Sequence, residues 1–158
     1  TVRLGDLLVK QGVLTHAQRD RIIEVQSACG RPFGELAEGL FGVSPDAVES
    51  AWAVQYGMLA PRVDPLRYSP TPEALALVNR RQAWQFGVLP LEFDDRELVV
   101  CTTEQHLVRA LKFVGWKICA PCYFVLAERE ALGDALDLHY PMAGMCGTDL
   151  LKPARRAR

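Results

Sequence analysis

The sequence predicts an α+β protein: a helical N-terminal part, then a small unit of helices packed on a short, mainly antiparallel sheet. Three observations predict this. Apolar residues recur at helical spacing through residue 57. After Gly87 the spacing gives way to short runs rich in Val, Leu, Ile and Phe. Between them, residues 58–70 hold three prolines and show no period. The expected organisation is therefore a helical part at 1–57, a linker at 58–70, an α+β part at 71–141 and a basic tail at 142–158.

Each element has a local reason. Leu4, Leu7 and Leu8 form an apolar stripe that Gly12 can end in a left-handed cap. Thr15 with Gln18 reads as a capping box and starts a second helix, through Ile22, Ile23 and Val25 to about Gly30. A third helix is expected from Phe33 to Leu40. Ser44 then serves as N-cap and Pro45 takes the first helical position, opening a fourth helix through Val48, Ala51, Trp52 and Val54 to Gly57. Thr71 and Pro72 open a fifth, carrying Ala74, Leu75, Leu77 and Val78 to about Gln85. Val88–Phe93 and Leu98–Cys101 read as a hairpin joined at Asp94, Asp95 and Arg96. Thr103 caps a helix through Leu107, Val108, Leu111 and Val114, ending at Gly115. Lys117–Leu126 reads as a strand. Glu128 starts a last helix with Leu132, Leu136 and Leu138, and Pro141 follows its end.

Composition limits the function. The chain has 158 residues, 49% hydrophobic and 23% charged, so it has apolar material for a core. No apolar run approaches membrane-spanning length, and no secretory signal opens the chain, so the expected location is the cytoplasm. Net charge is −1; residues 152–158 carry four positive charges, leaving an acidic body poorly suited to DNA. Five cysteines, an odd number, argue against a disulfide framework.

The helical part repeats itself with a period of 29. Gly5 matches Gly34, Leu7 matches Leu36, Leu14 matches Val43, Thr15 matches Ser44 and Gln26 matches Gln55. One such helix pair cannot bury its own apolar face, so two copies should pack together.

The repeat also carries a family resemblance. The stretch Arg3-Leu4-Gly5-Asp6-Leu7-Leu8-Val9-Lys10-Gln11-Gly12-Val13-Leu14-Thr15 resembles the opening of the N-terminal domain of type II secretion and type IV pilus assembly ATPases. Phe86–Leu91 with Leu98–Val100 resembles a strand and its hairpin partner in the same domain. The likeness covers about residues 3–141. It implies a module that docks onto a cytoplasmic protein of a secretion, pilus or motility assembly and reaches the inner membrane only through that partner. It also implies an alternative: in one branch of the family a tandem motif, beginning Arg-Leu-Gly and ending in Gln, binds cyclic di-GMP. Arg3 to Gln26 has that motif's length of twenty-four residues. Carried over residue by residue, the binding positions are Arg3, Leu4, Gly5, Leu8, Val9, Gly12 and Gln26 in the first copy, and Arg31, Gly34 and Gln55 in the second. An Arg guanidinium can stack on or bond to guanine, and glycine lets backbone approach. The second copy departs from the motif. Pro32 stands where Arg is wanted, Phe33 replaces Leu, Glu38 sits at an apolar position and Gly42 comes one residue late. In the first copy, Arg19 replaces a Leu.

No phosphate-cradling Gly-x-x-x-x-Gly-Lys-Ser/Thr loop occurs in the chain, and no catalytic role or required cofactor is expected. Cys119-Ala120-Pro121-Cys122 has redox or metal spacing, but it lies in a strand reading without a second cysteine pair, which favours buried thiols. His16, His106 and His139 fall at helix ends, where capping or exposure accounts for them.

Overall fold

Short-range signals place the N-terminal helices. The computed structural model describes residues 4–44, 46, 49, 53 and 56–145, apart from the side chains of Leu4 and Leu7. Helix α1 is Leu4–Lys10, and Gly12 follows it at φ +75°. Helix α2 is His16–Cys29. Thr15 accepts from the Gln18 amide while the Gln18 side chain accepts from the Thr15 amide, completing the capping box. Gly30 closes α2 in the left-handed region, and Gly42 does the same for α3, Phe33–Phe41.

Of the expected fourth helix, Pro45, Val48, Ala51, Trp52 and Val54 lie outside the described residues. Residues 56–59 are helical, so the helical conformation passes Gly57 rather than stopping there. Tyr56 within it is fully buried and meets Phe124 edge-to-face at 5.6 Å.

The single helix expected from Thr71 to Gln85 is two helices. Helix α4 is Pro72–Leu75 and α5 is Arg80–Phe86. The break is chemical: Asn79 accepts from the Gln82 amide, and the Gln82 side chain answers the Asn79 amide. This second capping box starts a new helix inside a continuous apolar spacing.

Strands β1, Leu89–Asp94, and β2, Glu97–Thr102, form the expected hairpin, and Asp95 in its turn takes φ +62°. The register shifts between Pro90 and Glu92, a β-bulge. Helix α6, Leu107–Lys117, does not end at Gly115 but runs two residues further, because Gly115 is a packing position inside it. Its N-cap is His106; Thr103 instead accepts from the His106 amide. The third strand, β3, is Cys122–Leu126, shorter than the expected Lys117–Leu126: Lys117 ends α6, Ile118 is its C-cap, and Pro121 has no amide to give a ladder. Helix α7 is Arg129–His139.

The sheet order is β1-β2-β3. β1–β2 is antiparallel, but β2–β3 is parallel, so the sheet is mixed rather than mainly antiparallel. The cause is the connection. A helix between two strands brings the chain back to the same end of the sheet, so the strands run together. Helix α6 is that crossover.

Residues 61–63 extend the sheet. Val63 donates to the Leu126 carbonyl, and the Leu126 amide donates to the Pro61 carbonyl, both at 2.8 Å. The proline-rich stretch is thereby tied to β3, and a 3-10 turn, Pro65–Arg67, follows it. At the other end Trp84 Nε1 donates to the Tyr140 carbonyl at 2.8 Å, and the Tyr140 hydroxyl donates to the Leu75 carbonyl at 2.7 Å. One apolar cluster runs from Leu8 through β2 and α6 to Tyr140.

Candidate functional site

Glycine at position 34 lets α3 approach α6 closely. A methyl group at Gly34 would stand 2.7 Å from the Gly115 carbonyl oxygen and 3.3 Å from the Trp116 ring. No residue larger than glycine fits that contact without moving one helix. This approach sets the distance between the helical elements and the sheet, and a cleft opens beside it.

The cleft has a volume of about 350 Å³. Gly5 and Asp6 of α1 and Arg19, Asp20, Ile23 and Ser27 of α2 form one side. Arg96 and Glu97 at the hairpin turn, with Ala120, Pro121 and Cys122 before and at the start of β3, form the other. Phe33 and Val114 line it as well. Its described lining mixes apolar side chains with the charged Asp6, Arg19, Asp20, Arg96 and Glu97, and apolar walls with a few polar groups are a common form of ligand or anchor site.

Arg19 is held at the cleft by two carboxylates. Nη1 donates to Asp6 Oδ1 at 2.7 Å, while Nη2 and Nε donate to Asp20 Oδ1 at 2.9 and 3.1 Å. The hydrogen bond to Asp20 is the main reason the guanidinium is held above its ordinary range; Asp6 adds to it, against some desolvation. The Arg19 stem lies over Gly5. A methyl group there would meet Arg19 Cγ at 2.8 Å and Phe33 Cζ at 3.4 Å.

The thiol of Cys122 donates to the Ala120 carbonyl at 3.2 Å. Burial, then the nearby Glu97 carboxylate, pushes its pKa far up, so it stays a protonated thiol. Cys119 is exposed, and no disulfide joins the described cysteines. Among the described residues, no group of three or more His, Cys, Asp and Glu side chains could hold a metal ion. Outside the cleft, burial and then Arg109 and Arg129 lower the pKa of His106, whose Nδ1 lies 2.7 Å from Thr103 Oγ1.

The sequence-predicted binding residues that are described fall in several different settings. Arg3 and Gln55 lie outside the described residues. Leu4 opens α1. Gly5 lines the cleft. Leu8 is fully buried in the core, and Val9 packs against it. Gly12 faces open space. Gln26 is 2% exposed, and its amide oxygen and nitrogen have no hydrogen-bond partner among the described residues. Arg31 pairs with Glu35 on the surface. Gly34 is covered by Gly115. The cleft residues that sequence reasoning missed are chiefly Asp6, Asp20, Arg96 and Glu97. They come from three separate elements, and no spacing rule joins them.

Comparison with known proteins identifies the family. Among solved structures, the fold is similar to that of MshE with cdg, at 24% identity and a TM-score of 0.47, covering 89% of this chain and 100% of that one. It is also similar to the N-terminal domain of XpsE in two crystal forms. One has 18% identity and a TM-score of 0.45, covering 87% of this chain and 93% of that one. The other has 17% identity and a TM-score of 0.40, covering 84% and 90%. No curated protein matches the chain. The family model of the MshEN domain matches residues 44–145, a span that holds the whole sheet and, of the predicted binding residues, only Gln55. With well over half its length inside that match, the chain belongs to the MshEN domain family.

Proposed function

We propose that this chain is a non-catalytic docking and regulatory module, binding a protein component of a secretion, pilus or motility assembly. The observation that carries this reading is the MshEN match, which runs unbroken from the end of the helical part through all of the α+β part. The continuous core and the close Gly34–Gly115 contact support a module whose helical part (1–57) and α+β part (71–141) act together. Among the described residues no helix is long and apolar enough to cross a membrane, which is consistent with recruitment through a partner. Arg19, one of two described arginines lining the cleft, is already engaged by two carboxylates, which suits a binding surface better than a reaction centre.

The MshE structure holds cdg, so cyclic di-GMP is the small ligand to test first. In a dinucleotide sensor built on the repeat, the two repeat glycines would let the backbone approach the ligand. Here Arg19 covers one and Gly115 the other, which favours docking over sensing. The experiment is a pull-down from the native cell with the chain as bait. Recovery of identified assembly components is the expected result. Recovery of none, together with substrate turnover by the purified chain, sinks the reading.

A further inference from the structure

We propose that a second groove, between the 3-10 turn Pro65–Arg67 and helix α7, is a docking site for a basic segment led by leucines, and that residues 150–158 of this chain are its occupant. The groove has a volume of about 360 Å³. Val63, Leu66 and Ala131 supply apolar lining, and Leu66 is 49% exposed. Asp64, Glu128, Glu130 and Asp134 add four carboxylates, and no described Lys, Arg or His lines it. Of the four, only Asp64 has an ion-pair partner among the described residues, Arg67 at 3.8 Å. The stability of α7 does not ask for all of these charges. Its dipole favours Glu128 and Glu130 at the first turn. Asp134 lies beyond that turn and four residues from Glu130, a spacing at which like charges repel. A cationic occupant turns that repulsion into attraction. Among the described residues no three acidic side chains converge as a metal site would need, so a chain carrying several cations fits better than one ion.

The chain carries such a segment within reach. Residues 150–158 lie outside the described residues; their sequence is Leu150-Leu151-Lys152-Pro153-Ala154-Arg155-Arg156-Ala157-Arg158, with four basic side chains and no acidic one. Leucines suit the apolar lining, and the cations match the carboxylates in number. The chain leaves α7 at a fixed place, because Trp84 holds the Tyr140 carbonyl and Arg80 the Pro141 carbonyl. From that end of α7, Asp134 and Glu130 lie about 8–14 Å back along the helix, at about 1.5 Å per residue. Residues 146–151 span up to about 20 Å when extended. Leu138, 68% exposed, follows Asp134 by one turn on the same face, so apolar surface continues from the groove toward the exit.

The test is fluorescence anisotropy of a labelled synthetic peptide of residues 149–158 with the 158-residue chain. Lys152→Gln, Arg155→Gln, Arg156→Gln and Arg158→Gln together vacate the groove, and that variant should bind the peptide. The native chain should bind it about tenfold more weakly or worse, because its own tethered segment competes at an effective concentration of the order of millimolar. Glu130→Gln with Asp134→Asn, added to the Gln variant, should abolish binding; both side chains are exposed, so the fold is kept. Equal binding by the native chain and the Gln variant overturns the proposal. So does no binding by the Gln variant, or binding that survives the groove changes. Sedimentation tests the other occupant: the native chain should be monomeric, and a dimer that dissociates in the Gln variant assigns the groove to a second copy and overturns the proposal. The pull-down above is read separately, so docking to an assembly and occupancy of this groove fail independently.

Discussion

Gly34 and Gly39 lie five residues apart in α3, and a methyl group at each meets different surroundings. At Gly34 it strikes the Gly115 carbonyl; at Gly39 it meets nothing within 4 Å. Gly34→Ala should therefore lose about 1–3 kcal/mol, the cost of forcing extra volume into a close contact. Gly39→Ala should gain about 0.5–1 kcal/mol, because alanine gives up less conformational freedom in a helix. Urea unfolding of both variants checks this, and two shifts of the same sign would refute the assignment. His106 supplies a pH dependence. Burial lowers its pKa in the folded chain below the ordinary 6.5. Above pH 6.5 both folded and unfolded chains hold it neutral. Below that value the unfolded chain takes up a proton that the folded chain refuses, so stability falls with pH. His139 shifts in the same direction, also through burial. His106→Gln should flatten the decline in urea midpoint between pH 7.5 and 5.5, and an unchanged slope would exclude His106 as a source of it. Arg19 shows what a single residue hides in a sequence. Its place in the repeat was visible, but its seat over Gly5 depends on how α1 and α2 cross.

Helices announced by their own caps were legible as elements. Thr15 with Gln18, and the left-handed glycines at 12 and 30, are signals that need only a few consecutive residues. The Asn79–Gln82 box is just as local, yet the apolar spacing of Ala74, Leu75, Leu77 and Val78 reads as one helix carried across it. Asn79→Ala should cost about 0.5–2 kcal/mol, the range for a lost N-cap. A thermal melt that leaves the midpoint unmoved would mean the box is decorative. The direction of β3 was not legible, because parallel pairing is decided by the crossover and not by the strand's own residues. The cleft was the least legible of all. It gathers residues from 5 to 122, and among the described residues Gly5 alone of the predicted binding positions lines it.

Among the described residues, polar contacts fasten segments that lie far apart in the chain. The Trp84 indole N–H satisfies the Tyr140 carbonyl in a buried setting. Trp84→Phe keeps a ring and leaves that carbonyl without its donor, which should cost about 1–3 kcal/mol. Hydrogen exchange should then quicken first at the C-terminal end of α7; uniform protection would show that the contact is incidental. The extension of the sheet by residues 61–63 bears on how the chain is made. Its backbone groups are answered by Leu126, which leaves the ribosome sixty-three residues after Val63. At about 5–20 residues per second, that is a wait of roughly 3–13 s with a strand edge bare. The residues at that edge suit the delay. Pro61 and Pro65 have no amide to offer a neighbouring chain, and Arg62 and Asp64 place a charge on either side of Val63. The composition that marks this stretch as a linker is also what keeps a nascent chain from pairing with the next one on the same messenger.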